Sequence, residues 1–409
     1  MNRIIIVSTS IPPTHSGAGL VALRYADRLQ KKGNLSYLIT NEKEELSDNQ
    51  WVNYLGKKNS ILPEKIFRVP LKSLAVNGST ISKAIIYFYN IISMFFMVVS
   101  FMIKSRKNYD TVHCFSPTWL SFMVVISAKL LGKRIVLEIT RLDGDDPGYI
   151  AKNDSLRILY QRRNIQYIFA DAIVCLSPIL YRRCIENGIS EKKIYLIPRS
   201  VPENENKLEA EKKLLKPIDQ NKELKMIFVG GIIERKGVHV IIEVLHKLNT
   251  QKNFNNFSLI IVGPEGDQQE DKLYKSMINQ KIDEFNLSSK VKFTGFVENP
   301  DEYYKESDIF IFPSKSEGLP NVVLEAMKFG NIVIMNNIDG ISDFIIEDEK
   351  NGFIIDGNDT EEYVKRISEL LSNPEKGIEI KKNGHNTITK KFSRESIDKK
   401  YKELYRDIN

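Results

Sequence analysis

Short runs of Ile, Val, Leu and Phe alternate with stretches of helical periodicity along the whole chain. The first series comprises Arg3–Val7, Tyr37–Ile39, Ile66–Val69, Thr111–Cys114, Arg134–Ile139, Ala172–Leu176 and Ile194–Ile197. A second comprises Lys225–Val229, Ser258–Val262, Val291–Phe293, Ile309–Phe312, Ile332–Met335 and Gly352–Ile354. Continuous apolar strands separated by helices belong to parallel sheets covered on both faces. Two such series predict an α/β protein of two Rossmann-like doubly wound domains facing across a cleft. The N-terminal domain is expected over residues 1–203 and the C-terminal one over 224–390, with a charged linker at 204–223. A last helix, 391–409, is expected to pack back on the N-terminal domain. Ligands of such sheets lie outside the carboxyl ends of the strands, so the cleft is the expected site.

One segment departs from this alternation. Ala84–Ile103 is 20 residues without a charge, flanked by Lys83 and by Lys104, Arg106 and Lys107. Its length and flanks suit a membrane span. Its position argues against one, because strands of a single sheet lie on either side of it. A buried helix and a helix resting its outer face in the membrane interface, with the basic flanks on the headgroups, both remain open, and the basic N-terminal half favours the interface.

Charge sharpens that picture. Of the net +7, residues 1–200 carry 28 Lys and Arg against 15 Asp and Glu, a net +13, and residues 201–409 carry 31 against 37, a net −6. The basic half is expected to face something anionic, with a merely solvated basic surface as the competing reading. No basic motif with interleaved aromatics or recognition helix points to nucleic acid, so a membrane leaflet or a phosphate-bearing acceptor is the expected partner. The 409 residues and 42% hydrophobic content suffice for two real cores. Cys114, Cys175 and Cys184 lack metal spacing and read as reduced thiols of a cytoplasmic protein, and the opening MNRIIIVSTS reads as a strand rather than a signal peptide.

The chemistry concentrates in Ser316–Gly330. Ser316-Glu317-Gly318-Leu319 reads as a loop, Pro320 suits the first position of a helix, and Val323, Leu324 and Met327 continue an apolar stripe. The open N–H groups of Asn321 and Val322 then favour an anion at the helix start. Glu317 lies beside that anion and Glu325 further along the helix. A second phosphate site is marked at Gly230–Gly237, where a strand ends in Gly230-Gly231 and Arg235 and Lys236 stand just before the helix Val238–Leu248. Gly17 and Gly19, between the first strand and its helix, form a weaker candidate for close backbone approach by a ligand.

Together these residues resemble the retaining nucleotide-sugar glycosyltransferases of family 4, with their two-Rossmann GT-B architecture. The resemblance extends over nearly the whole chain. It rests on the Gly17–Gly19 loop, the Gly230–Gly237 turn and the pair Glu317…Glu325, which matches that family's E-x7-E signature. Val291–Phe296, Ser307–Ser314 and Asn351-Gly352 add to it. It implies that Glu317 contacts donor-sugar hydroxyls and Glu325 the nucleotide ribose, that Lys236 holds the diphosphate, and that Gly295 and Val262-Gly263 lie near the base. The chain departs from the family in carrying Gly231 where an Arg is usual, with Arg235 as the replacement cation, and in lacking the His that follows the strand Ile135–Thr140. His113 and the loop Arg141–Asp146 are the candidates to replace that His. Arg199-Ser200 stands where the family has Asn-Gly.

The reaction so implied moves a hexosyl unit, with retention, from a nucleotide diphosphate sugar to an acceptor hydroxyl on a glycan or lipid-linked acceptor in cell-surface polysaccharide assembly. Positive charge at Arg235, Lys236 and the helix start can stabilise the leaving diphosphate. No cofactor is expected beyond the donor itself. No metal site is expected either, although Asp143-Gly144-Asp145 has an Asp-x-Asp spacing. Nucleotide-sugar epimerisation on the same fold and a degenerate glycan- or lipid-binding subunit are the competing readings.

Overall fold

The structure is a computed structural model. It describes residues 3–14, 17–55, 60–72, 80–142, 144–148, 157–201, 212–219, 221–250 and 256–408. It divides into two units: Met1–Ile197 with Lys400–Asn409, and Pro198–Lys399.

The first unit is a seven-stranded parallel sheet. Its strands are β1 (Ile4–Ser8), β2 (Leu35–Thr40), β3 (Ile66–Arg68), β4 (Thr111–Phe115), β5 (Arg134–Ile139), β6 (Ala172–Cys175) and β7 (Ile194–Leu196), in the order β3-β2-β1-β4-β5-β6-β7. Every residue of β1, β4 and β6 is buried, as expected for runs covered by helices on both faces. The second unit is a six-stranded parallel sheet of β8 (Leu224–Val229), β9 (Phe257–Val262), β10 (Val291–Gly295), β11 (Ile309–Phe312), β12 (Ile332–Asn336) and β13 (Phe353–Ile355), in the order β10-β9-β8-β11-β12-β13. In each sheet the order reverses beside its first strand, between β1 and β4 and between β8 and β11. A crevice opens at such a point because the flanking connections leave in opposite directions.

The charged stretch read as a linker lies partly outside the described residues. Within it, residues 212–219 pack on the second unit. Leu214 and Ile218 are buried there, and the Lys381 ammonium donates to the Lys216 carbonyl at 3.0 Å. The final helix, Arg394–Asp407, begins in the second unit, and its last residues belong to the first.

The apolar segment Ala84–Ile103 falls in the helix Thr80–Lys104. That helix connects β3 to β4, which are members of one sheet. Crossing a bilayer would separate them, so the helix stays with its unit, seating Met94, Val98 and Met102 in the core. Only 17% of its most apolar window is buried, so it is not a core helix either.

Candidate active site

In the second unit the connections after β8 and β11 leave on either side of the reversal, and their side chains meet across it. After β8 the chain passes Gly230-Gly231 into a 3-10 turn, Glu234–Lys236, and then through Gly237 into the helix Val238–Thr250. Gly237 holds φ +74°, and a Cβ there would collide with the Pro313 carbonyl at the end of β11. Only glycine lets the two connections approach this closely. Gly237→Ala is therefore expected to displace Lys236 and weaken nucleotide diphosphate binding about tenfold, a loss near 1.4 kcal/mol. Calorimetric titration checks this, and unchanged affinity would show that the close approach does not position the lysine.

The second half of the crevice is the loop after β11. Glu317 is largely enclosed, and its Oε1 gathers three donors: Lys236 Nζ at 2.6 Å, Ser314 Oγ at 2.6 Å and Arg235 Nη1 at 3.1 Å. Among the described residues no donor reaches Oε2. Arg235 also donates to the Ser316 carbonyl, and its own carbonyl accepts from the Lys315 N–H at 3.0 Å. The Lys236 ammonium lies 5.2 Å from the centre of the Phe312 ring, a cation–π contact that steadies it where it leaves the strand end. Two cations thus share one carboxylate, an arrangement that a ligand diphosphate can enter by replacing the carboxylate as their counter-charge.

Gly318, Leu319 and Pro320 are buried and carry the chain into the helix Asn321–Lys328. Pro320 is the residue just before the helix and not its first residue, because its backbone is extended at ψ 99° while its carbonyl accepts from the Val323 N–H at 3.1 Å. The N–H groups of Asn321 and Val322 have no acceptor among the described residues, and the Asn321 Oδ1 is buried without a partner. An open helix start beside Lys236 and Arg235 is a place for an anion. Glu325 lies further along the same helix, where Tyr304 Oη donates to its Oε2 at 3.3 Å. Burial and the neighbouring carboxylate push the Tyr304 phenol well above its usual range, so it stays a hydrogen-bond donor. A Cβ on Gly231 would meet the Pro264 carbonyl at an ordinary 3.9 Å, and Gly295, at φ +71°, closes β10 with its carbonyl accepting from the Gly263 N–H at 2.9 Å.

Sequence reasoning did not find Ser314 or Tyr304, the residues that orient the two glutamates. Ser314 carried a signal, standing two residues beyond the end of β11; Tyr304 carried none.

In the first unit the sequence candidates fall differently. His113 lies inside β4 with no exposed surface. Its Nδ1 is 2.7 Å from Tyr405 Oη and its Nε2 is 3.5 Å from Glu138 Oε2. Tyr401 Oη donates to the same carboxylate at 2.9 Å. The residue that sequence reasoning offered for sugar contact is instead enclosed where the final helix docks, because two tyrosines of that helix cover it. Gly19 is also explained internally, since a Cβ would collide with the Ser10 carbonyl, whereas Gly17 faces open space. Asp143 lies outside the described residues. Asp145 is committed within its own loop, where its Oδ2 accepts from Thr140 Oγ1 at 2.6 Å and Ser116 Oγ at 2.9 Å. Arg199 is buried. A polar groove of about 300 Å³ remains at the carboxyl ends of β1 and β2, lined by Thr9, Ser10, Thr14, Asn41, Glu42, Lys43 and Glu44.

Residues 210–387 match the model for glycosyl transferases group 1, and residues 15–205 match the model for Glycosyltransferase Family 4. The chain belongs to the group 1, family 4 glycosyltransferases. It is 25% identical over 245 residues to the lipopolysaccharide core biosynthesis glycosyltransferase LpsE of Rhizobium meliloti, covering 60% of this chain and 67% of that one. It is 24% identical over 327 residues to a UDP-Gal:alpha-D-GlcNAc-diphosphoundecaprenol alpha-1,3-galactosyltransferase of Escherichia coli, covering 76% and 79%. It is 26% identical over 258 residues to the capsular polysaccharide biosynthesis glycosyltransferase CapM of Staphylococcus aureus, covering 61% of this chain and 64% of that one. Among solved structures, Anabaena Alr3699/HepE in complex with UDP and glucose superposes with a TM-score of 0.73 at 16% identity, covering 99% of this chain and 100% of that one. This glycosyltransferase therefore has the GT-B fold, an α/β architecture of two Rossmann-like domains, and the Glu317–Lys236 crevice lies in its group 1 domain.

Proposed function

We propose that this glycosyltransferase moves a hexosyl unit, with retention, from a nucleotide diphosphate sugar to a hydroxyl of a glycan or lipid-linked acceptor in surface-polysaccharide assembly. The observation that carries this reading is the meeting of Lys236 and Arg235 with Glu317 beside the open helix start at Asn321. The diphosphate takes the two cations and the free N–H groups. Glu317, released from them, turns its carboxylate to the sugar hydroxyls, and Glu325 takes the ribose. Gly295 and Gly263 border the place for the base. As the sugar–phosphate bond breaks, negative charge grows on the leaving diphosphate where fixed positive charge already stands, so cation and dipole stabilisation strengthen towards the transition state. This chemistry uses no cofactor and draws its positive charge from the protein.

The acceptor belongs to the first unit in this reading, with the hydroxyl- and carboxylate-lined groove at Thr9–Glu44 able to hydrogen-bond a sugar. The diphosphoundecaprenol-linked sugar on which the Escherichia coli relative acts and the basic charge of the N-terminal half support work at the inner face of the membrane. Titration with UDP-, GDP- and ADP-sugars tests the donor assignment. One nucleotide sugar is expected to bind and to release its nucleoside diphosphate when acceptor is supplied. Binding of none of them would overturn the reading in favour of a scaffold, and free epimer formed without acceptor would favour epimerisation.

A further inference from the structure

The helix Thr80–Lys104 is too long for the sheet it covers. At 1.5 Å per residue its 25 residues span about 37 Å, whereas the five residues of β4 span about 16 Å. It returns from the carboxyl end of β3 to the amino end of β4, so its final turn meets the sheet's amino edge and its first half overhangs the carboxyl edge. Burial agrees: Met94, Val98 and Met102 are seated in the core, while no residue from Lys83 to Ile92 is buried.

The overhang and the outer face carry an apolar stripe. Ile85 (63% exposed), Phe88 (63%), Ile92 (56%) and Phe96 (66%) follow one another at intervals of three and four residues, on the side opposite Met94 and Val98. Water-exposed Ile and Phe in a continuous stripe mark a surface that meets another apolar phase.

Charge says which phase. Between Trp51 and Tyr109 the chain has nine Lys and Arg and one acidic residue, Glu64. Lys72 is held at the stripe, its ammonium 4.0 Å from the Tyr89 ring centre, while the Asn90 side chain bonds the Lys72 N–H at 2.8 Å and carbonyl at 3.0 Å. Lys83 and Lys104 mark the two ends of the stripe, and Arg106 and Lys107 follow. A second copy of this chain would bring like charges face to face, which is unfavourable; an anionic lipid surface accepts the stripe among its acyl chains and the cations among its headgroups.

We propose that the outer face of the Thr80–Lys104 helix is a docking surface for an anionic bilayer, lying in the plane of the interface with Phe88 and Phe96 inserted and Lys72 and Arg106 at the headgroups. The proposal deepens the membrane part of the proposed function, and rests on that part only for its biological sense. It also sets an orientation, since the overhang stands at the carboxyl edge of the sheet, where the Thr9–Glu44 groove opens. An acceptor sugar carried on a lipid is thereby presented on the side of the sheet where ligands bind.

Sedimentation of the full chain with vesicles tests this surface. Binding is expected to phosphatidylcholine–phosphatidylglycerol mixtures and not to phosphatidylcholine alone, and it is expected to weaken as salt rises. F88S/F96S changes two exposed side chains and is expected to lower vesicle affinity about tenfold; K72E/R106E is expected to do so by about as much. Nucleotide affinity is expected to stay unchanged in both. Failure of the unaltered chain to bind the mixed vesicles, or F88S/F96S binding them as tightly, would overturn the proposal. A dimer in solution that F88S/F96S converts to monomer, without vesicle binding, would assign the face to a second copy instead. If vesicle binding holds while no nucleotide sugar binds, the donor reading falls and this surface stands; the converse removes this surface alone.

Discussion

Glu317→Gln is expected to lower transfer by roughly two to three orders of magnitude, the range seen when a group fixed on a developing charge is removed. It is also expected to leave nucleoside diphosphate affinity intact or raise it. The two effects separate because the proposed mechanism gives Glu317 two tasks. Without ligand it is the counter-ion of Lys236 and Arg235, and a diphosphate must displace it from both. The neutral amide relieves that competition and leaves two cations waiting for the phosphates. In the proposed transfer, however, the carboxylate binds sugar hydroxyls and opposes positive charge developing at the anomeric carbon, which an amide does poorly. Titration with the nucleoside diphosphate alongside steady-state kinetics checks both halves. Turnover equal to the unaltered enzyme would remove Glu317 from the mechanism, and a loss of nucleotide affinity matching the loss of turnover would show that it binds the donor uniformly instead.

Ending the chain at Lys399 is expected to unfold the first unit although it removes only residues from the edge of the sequence. Tyr401, Leu404, Tyr405 and Ile408 are all buried. Their burial contributes about 2 kcal/mol each, against a total domain stability of only about 5–15 kcal/mol. The deletion also strips Tyr405 Oη from His113 and Tyr401 Oη from Glu138, leaving buried polar groups at a further cost of about 1–3 kcal/mol apiece. Tyr405→Phe keeps the packing and is expected to cost about 1 kcal/mol. Thermal unfolding followed by near-ultraviolet dichroism distinguishes these cases. A truncated chain that melts like the full one would show that the first unit is complete without its last helix.

Much of the fold was legible because parallel strands advertise themselves. Runs such as Ile309–Phe312 are apolar at every position, which alternating or solvent-facing strands are not, and all thirteen expected strands are present within one or two residues. The crevice after β8 and β11 was legible in parts: Glu317, Lys236 and the helix start were each marked by local composition. Their meeting was not, because residues 81 apart in sequence touch only once β8 and β11 become neighbours. The reading failed where local chemistry and tertiary packing use the same residue type. A histidine in an apolar strand resembles a catalytic group until a helix 292 residues away covers it. Gly19 likewise resembles a phosphate turn until its neighbour's carbonyl is seen to fill the space a side chain would need.

The final helix also sets a clock. A ribosome has to add some two hundred residues after Ile197 before Tyr401 and Tyr405 exist. At about 5–20 residues per second, synthesis leaves the seven-stranded sheet with His113 and Glu138 uncovered for about 10–40 seconds. During that interval the nascent first unit shows both an unfinished core and the apolar stripe of Thr80–Lys104. Chaperones have a substrate there that the finished protein no longer presents in full, and a nearby bilayer can capture the stripe before the chain is released.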